Sequence, residues 1–162
     1  KALRENKFIY MTEVQQRCIP HALAGRDVLG EARTGSGKTL AFVVPVLERL
    51  YRSKWDARSD GLGAALVAPT RELAFQTFGV LRLAGGAHDL SAGCVVGGRK
   101  LLDEQKVIGS MSVLVATPGR LLQHLDEAVD FETGNLKVLV LDEADRILDM
   151  GFQEQVTSLV EQ

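Results

Sequence analysis

Short apolar runs recur along the chain and are separated by longer amphipathic stretches. The runs are Asp27-Val28-Leu29-Gly30, Ala64-Ala65-Leu66-Val67-Ala68, Ala92-Gly93-Cys94-Val95-Val96, Ser112-Val113-Leu114-Val115-Ala116 and Lys137-Val138-Leu139-Val140-Leu141. They are continuous rather than alternating, the pattern of strands buried on both faces of a parallel sheet. Helical patterns fall near 13–23, 38–52, 71–84, 99–108 and 118–126. Such alternation predicts an α/β fold, an open and mostly parallel sheet with helices on both faces. Ligands of these sheets bind beyond the carboxyl ends of the strands. Pro20 and Pro45 interrupt helical patterns, so kinks or boundaries are expected there. Two polar connections stand out: 52–63, expected to be exposed and mobile, and 127–135.

Composition narrows the class only a little. At 162 residues the chain fits one domain, residues 1–162, with a core that needs no staples. The net charge of −2 argues against a broadly basic surface that would coat nucleic acid, so any such contact is local. Cys18 and Cys94 stand alone in apolar sequence without metal-ligand spacing, which favours reduced, buried thiols in an intracellular protein. No apolar run approaches the length of a membrane span, and no signal-peptide pattern opens the chain. The opening KALRENKF and the close inside a helical pattern read as a piece of a longer protein.

Candidate chemistry gathers at two places. Ala32-Arg33-Thr34-Gly35-Ser36-Gly37-Lys38-Thr39 follows the first expected strand and opens a helix, the context of a phosphate-binding loop. Gly35 and Gly37 permit backbone torsions that aim successive N–H groups at an anion, and the helix beginning near Lys38 adds the positive end of its dipole. Lys38 supplies charge for the outer phosphates, and the Thr39 hydroxyl is a candidate ligand for Mg²⁺. Thr34, Gly35, Ser36, Gly37, Lys38 and Thr39 are therefore the candidate nucleotide-binding set. The strict pattern asks for glycine at position 32, where this chain has alanine. The second place is Asp142-Glu143-Ala144-Asp145 at the end of the last apolar run. Asp142 is a candidate metal carboxylate, and Glu143 a candidate to orient or deprotonate an attacking water. Acidic residues also favour the first turn of any helix, so alone this signal is ambiguous.

Taken together, these strings resemble the DEAD-box RNA helicases, a family in which alanine at the start of the loop is usual. Other landmarks follow in order: Pro69-Thr70-Arg71-Glu72-Leu73-Ala74 is similar to the family's PTRELA motif, Gly97-Gly98 to its GG motif, and Thr117-Pro118-Gly119-Arg120 to its TPGR motif. Phe8 to Gln15, with Ile19-Pro20, is similar to its adenine-recognising Q motif, although Met11 stands where proline is usual. The resemblance covers nearly the whole chain. It implies an N-terminal RecA-like domain, ATP with Mg²⁺, and catalytic roles for Lys38, Asp142 and Glu143. It also implies RNA-backbone contacts at Arg71, Gly98, Thr117 and Arg120, and a second RecA-like domain, carrying the arginine fingers, beyond residue 162.

Several assignments stay open on the residues alone. The Gln15 amide can pair bidentately with an adenine edge, yet Thr12 followed by Gln15 also spells a helix capping box. Arg71 and Arg120 can contact ribose and phosphate, or form ion pairs. His21, His88 and His124 read as surface or packing residues, and Trp55 as a partner contact or a cover over apolar neighbours. Two rival functions share the fold: a DNA-directed or general nucleoside-triphosphatase, and a non-catalytic RNA-binding scaffold. The Q, PTRELA and TPGR motifs weigh against the first, and intact Lys38 and Glu143 against the second. Peripheral stretches, such as Leu121 to Glu127 and Arg146 to Phe152, resemble the nucleolar helicases of small-subunit ribosomal RNA processing. That implies a nuclear or nucleolar site and ribosome-assembly partners.

Overall fold

Four of the five apolar runs become strands in the computed structural model, which describes residues 2–98, 100–128 and 131–161. They are β1 (Ala64–Val67), β2 (Ala92–Val95), β3 (Val113–Ala116) and β4 (Val138–Leu141). The helices are α1 (Ala2–Glu5), α2 (Glu13–Leu23), α3 (Lys38–Arg52), α4 (Ala57–Asp60), α5 (Arg71–Gly85), α6 (Leu101–Ile108), α7 (Pro118–Glu127), α8 (Ala144–Asp149) and α9 (Gln153–Glu161). The chain divides into two compact units, one of residues 1–54 and 79–89, the other of 55–78 and 90–162.

The second unit holds the sheet, in the order β2-β3-β1-β4 with every pairing parallel. Register sets Val67 beside Ala116 on one side and Leu141 on the other. One face is sealed by Ala65, Val67, Val95, Leu114 and Ala116 packing with Ile108 of α6, Leu121 of α7 and Ile147 of α8. The alternate residues Ala64, Leu66, Val113 and Val115 are just as buried. The continuous runs thus reflect burial on both faces for β1 and β3, while β2 and β4, at the sheet's edges, are largely half-buried. Because all strands are parallel, the residues after each strand emerge at the same, carboxyl end of the sheet.

In the first unit, α2 packs on α3. The fifth expected strand, Asp27–Gly30, is not formed: this segment has no regular structure, and Leu29 is 99% exposed. Four residues gain strand geometry only from a ladder partner, and the described residues provide none here. Pro20 and Pro45 lie inside α2 and α3 without ending either helix. Segment 52–63 also departs from expectation. It contains α4, and Trp55 is buried, its indole N–H donating to the Gly61 carbonyl at 2.9 Å. Trp55 is therefore tucked into its own loop rather than exposed. Among the described residues Cys18 and Cys94 form no disulfide, and both are only half-buried. Among the described residues no helix is long and apolar enough to cross a membrane.

Candidate functional site

The phosphate loop belongs to the first unit. Gly35 and Gly37 have φ of +78° and +90°, the left-handed region that glycine enters without cost. Gly37 is also the N-cap of α3. A Cβ there would lie 2.6 Å from the Gln15 amide nitrogen, so close approach as well as torsion demands glycine. The first turn of α3 contains no acidic residue, which leaves the positive end of a 15-residue helix uncompensated. The Ser36 hydroxyl is buried and has no hydrogen-bond partner among the described residues. A buried polar atom without a partner at a helix N-terminus fits an arriving phosphate oxygen. Lys38 Nζ reaches back across the loop to donate to the Ala32 carbonyl at 2.5 Å. Its charge is thereby held over the loop, and Thr39 follows, half-buried, in the same turn.

Gln15 makes the capping bond and a second bond toward the loop. Its Oε1 accepts from the Thr12 N–H at 3.0 Å, which makes the capping box, and its Nε2 donates to the Gly37 carbonyl at 3.0 Å. Each end of the amide uses one of its two hydrogen-bonding positions in these contacts. A 6% exposed glutamine thus ties the start of α2 to the phosphate loop.

The second unit carries the acidic strand end. The Asp142 N–H donates to the Val67 carbonyl at 2.8 Å, extending the ladder one residue past β4. Its Oδ2 accepts from the Thr77 hydroxyl at 3.2 Å. Glu143 has φ +51° and ψ +53°, left-handed torsions that cost a non-glycine residue about 1–2 kcal/mol. Such strain concentrates at functional sites. Its carboxylate accepts from Arg146 at 2.7 Å. Among the described residues no group of three or more His, Cys, Asp or Glu could hold a metal by itself. A Mg²⁺ ion arriving with a nucleotide needs only one or two carboxylates beside phosphate oxygens and waters, a donor of the kind Asp142 carries.

At the same end of the sheet lie the expected RNA-contact residues. Arg71 opens α5, and its Nη1 donates to the Gly97 carbonyl at 3.0 Å. Gly98 has φ +94°, and a Cβ on it would stand 2.5 Å from that guanidinium nitrogen. Arg71 and the glycine pair are therefore one assembly. Thr117, half-buried, is the N-cap of α7, with Pro118 as its first residue. Arg120 differs from its companions, being only 9% exposed. Its Nε donates to Glu104 Oε2 at 2.7 Å and its Nη1 to Gln123 at 3.0 Å. His124 Nε2 meets the same Glu104 oxygen at 2.8 Å and is fully buried. The ion-pair reading of Arg120 thus describes its side chain here, with a buried partner rather than a surface one.

Sequence reasoning missed Glu104, Thr77 and Arg146, and gave His124 only a packing role. A helical signal existed for one pair, since Arg120 and His124 are four residues apart and share a face of α7. Nothing in the local pattern marks Glu104 as buried.

The chain matches the model of the DEAD/DEAH box helicase family over residues 12–162. It is 55% identical to the probable ATP-dependent RNA helicase ddx10 of Dictyostelium discoideum, over 99% of this chain and 18% of that protein. It is 60% identical to the ATP-dependent RNA helicase dbp4 of Aspergillus clavatus, over 98% of this chain and 19% of that protein. The crystal structure of the yeast DEAD-box splicing factor Prp28 superposes with a TM-score of 0.90 at 36% identity, covering 98% of this chain and 38% of that one. The chain spans about a fifth of the length of the curated relatives it matches. With its motifs, its parallel sheet and its phosphate loop in agreement, the chain belongs to the DEAD/DEAH box helicase family.

Proposed function

We propose that this chain is the ATP-binding half of an RNA-dependent ATPase whose hydrolysis drives local RNA unwinding or remodelling of RNA–protein complexes. The observation that carries the reading is the phosphate loop. Two left-handed glycines, a helix whose first turn has no acidic residue, a buried hydroxyl without a partner among the described residues and a tethered lysine together suit a polyphosphate. Thr34, Gly35, Ser36 and Gly37 supply the cradle, Lys38 the charge, and Gln15 the adenine contact through the amide positions its present bonds leave unused. Thr39 and Asp142 would hold Mg²⁺, which neutralises charge developing on the phosphates during transfer. Glu143 takes the proton of, or orients, the attacking water.

RNA is held through its backbone, without sequence readout. Arg71 with Gly98, and Thr117 at the start of α7, are the contacts the geometry favours. Arg120 is the fourth proposed contact, on the resemblance of Thr117-Pro118-Gly119-Arg120 to the family's TPGR motif. The negative net charge gives little further hold on RNA, so a second RecA-like domain supplies the remaining track and the arginine finger. Closure of the two domains around ATP and RNA completes the catalytic site. The peripheral resemblance at Leu121 to Glu127 and Arg146 to Phe152 supports a role in ribosomal RNA processing in the nucleolus beside ribosome-assembly factors.

The test is calorimetric titration of ATP and ADP into wild-type protein and the Lys38→Ala variant. Loss of binding in the variant, with thermal stability retained, is expected because the charge is removed from a site built for anions. Unchanged affinity would refute the loop assignment.

A further inference from the structure

We infer that Thr77 is a positioning residue for Asp142, fixing the carboxylate that takes Mg²⁺ with the nucleotide. This rests on the reading of Asp142 as the metal carboxylate.

Thr77 lies on the buried face of α5, in line with Ala74 and Leu81, and is 3% exposed. Its neighbours on that face are apolar, so valine would fill the position equally well by volume. A buried hydroxyl requires a partner, and inside a helix the usual one is the carbonyl four residues back. Thr77 instead bonds Asp142 Oδ2 at 3.2 Å, across 65 residues of sequence. An ionised carboxylate only accepts, so the hydroxyl donates.

Two constraints then act on one residue. The bond from the Asp142 N–H to Val67 sets where the main chain leaves the sheet, and the Thr77 hydroxyl restricts how the side chain turns from it. Groups that hydrogen-bond a ligating carboxylate fix its orientation, and their loss typically weakens metal affinity by about 10–100-fold. Thr77 itself touches neither metal nor nucleotide in this scheme.

The experiment is ADP binding to the intact protein, followed by calorimetry across a Mg²⁺ titration and again in EDTA. Thr77→Val, Thr77→Ala, Thr77→Ser and Asp142→Asn are compared with wild type, and thermal unfolding is recorded for each. In Thr77→Val the Mg²⁺ concentration giving half of the metal-dependent gain in affinity should rise by about tenfold. Affinity in EDTA should stay the same, and Thr77→Ser, which keeps the hydroxyl, should stay near wild type. Thr77→Ala should show the same Mg²⁺ shift, which guards against misfolding of the valine variant. If Asp142→Asn shifts the Mg²⁺ dependence while Thr77→Val and Thr77→Ala remain within twofold of wild type, Thr77 is a packing residue and the inference fails. If Asp142→Asn produces no shift either, the metal role of Asp142 falls, and the inference falls with it.

Discussion

Replacing Glu104 by alanine takes away the carboxylate that pairs with the buried Arg120 guanidinium. In the native arrangement one carboxylate oxygen of Glu104 serves both Arg120 and His124, and all three side chains are under 10% exposed. Taking one partner out of a buried ion pair costs about 3–5 kcal/mol, because the surviving charge keeps its desolvation penalty and loses its compensation. In a domain of this size each 1 kcal/mol lowers the melting temperature by about 2–4 °C. Glu104→Ala should therefore melt about 6–20 °C below wild type by circular dichroism. Glu104→Gln keeps an acceptor for both neighbours but removes the charge, so its loss should be smaller. Removing both charges with Glu104→Met and Arg120→Met together should be less damaging than Glu104→Ala alone, since the buried charge is removed along with its carboxylate. The reasoning is refuted if Glu104→Ala melts within 2 °C of wild type, or if the double replacement costs as much as the two single ones summed.

Gln15→Ala should lose about 1 kcal/mol for the capping bond to Thr12 and a similar amount for the bond to Gly37. If Gln15 also reads adenine, the same variant binds ATP more weakly and discriminates less against GTP; stability loss with unchanged nucleotide affinity would leave it a cap and tether only. Glu143→Gln in the intact protein should retain ATP binding and lose steady-state hydrolysis, because an amide cannot take a proton from water. Near-normal turnover in that variant would remove Glu143 from its role.

Most of the sheet was legible because β1 and β3 are buried on both faces, and such strands announce themselves as unbroken apolar runs. The run at Asp27–Gly30 carries the same signal, yet strand geometry depends on a partner that local sequence cannot report. Gly35 and Gly37 were legible for a different reason: their torsions are a property of the backbone itself, and few residues can substitute. The capping bond of Gln15 was legible in the spacing of Thr12 and Gln15, whereas its bond to Gly37, 22 residues away, was not. Arg120, Glu104, His124 and Thr77 were not legible in this way. Each takes its meaning from a partner on another element, at separations of 16, 20 and 65 residues. A charged residue such as Glu104 inside the sequence LLDEQKVI reads as solvent-facing until its partners are placed. The left-handed torsions of Glu143 likewise have no sequence signature, because glutamate rarely adopts them.

Steady-state ATP hydrolysis, measured with and without RNA for residues 1–162 and for the intact protein side by side, bears most directly on the central claim. On the proposed reading the loop and Glu143 still need positive charge on the far side of the γ-phosphate, and no arginine of residues 1–162 sits in a motif suited to supply it. The expected result is RNA-stimulated turnover by the intact protein and negligible turnover by residues 1–162 under either condition. Robust RNA-stimulated hydrolysis by residues 1–162, or an intact protein indifferent to RNA, would contradict it.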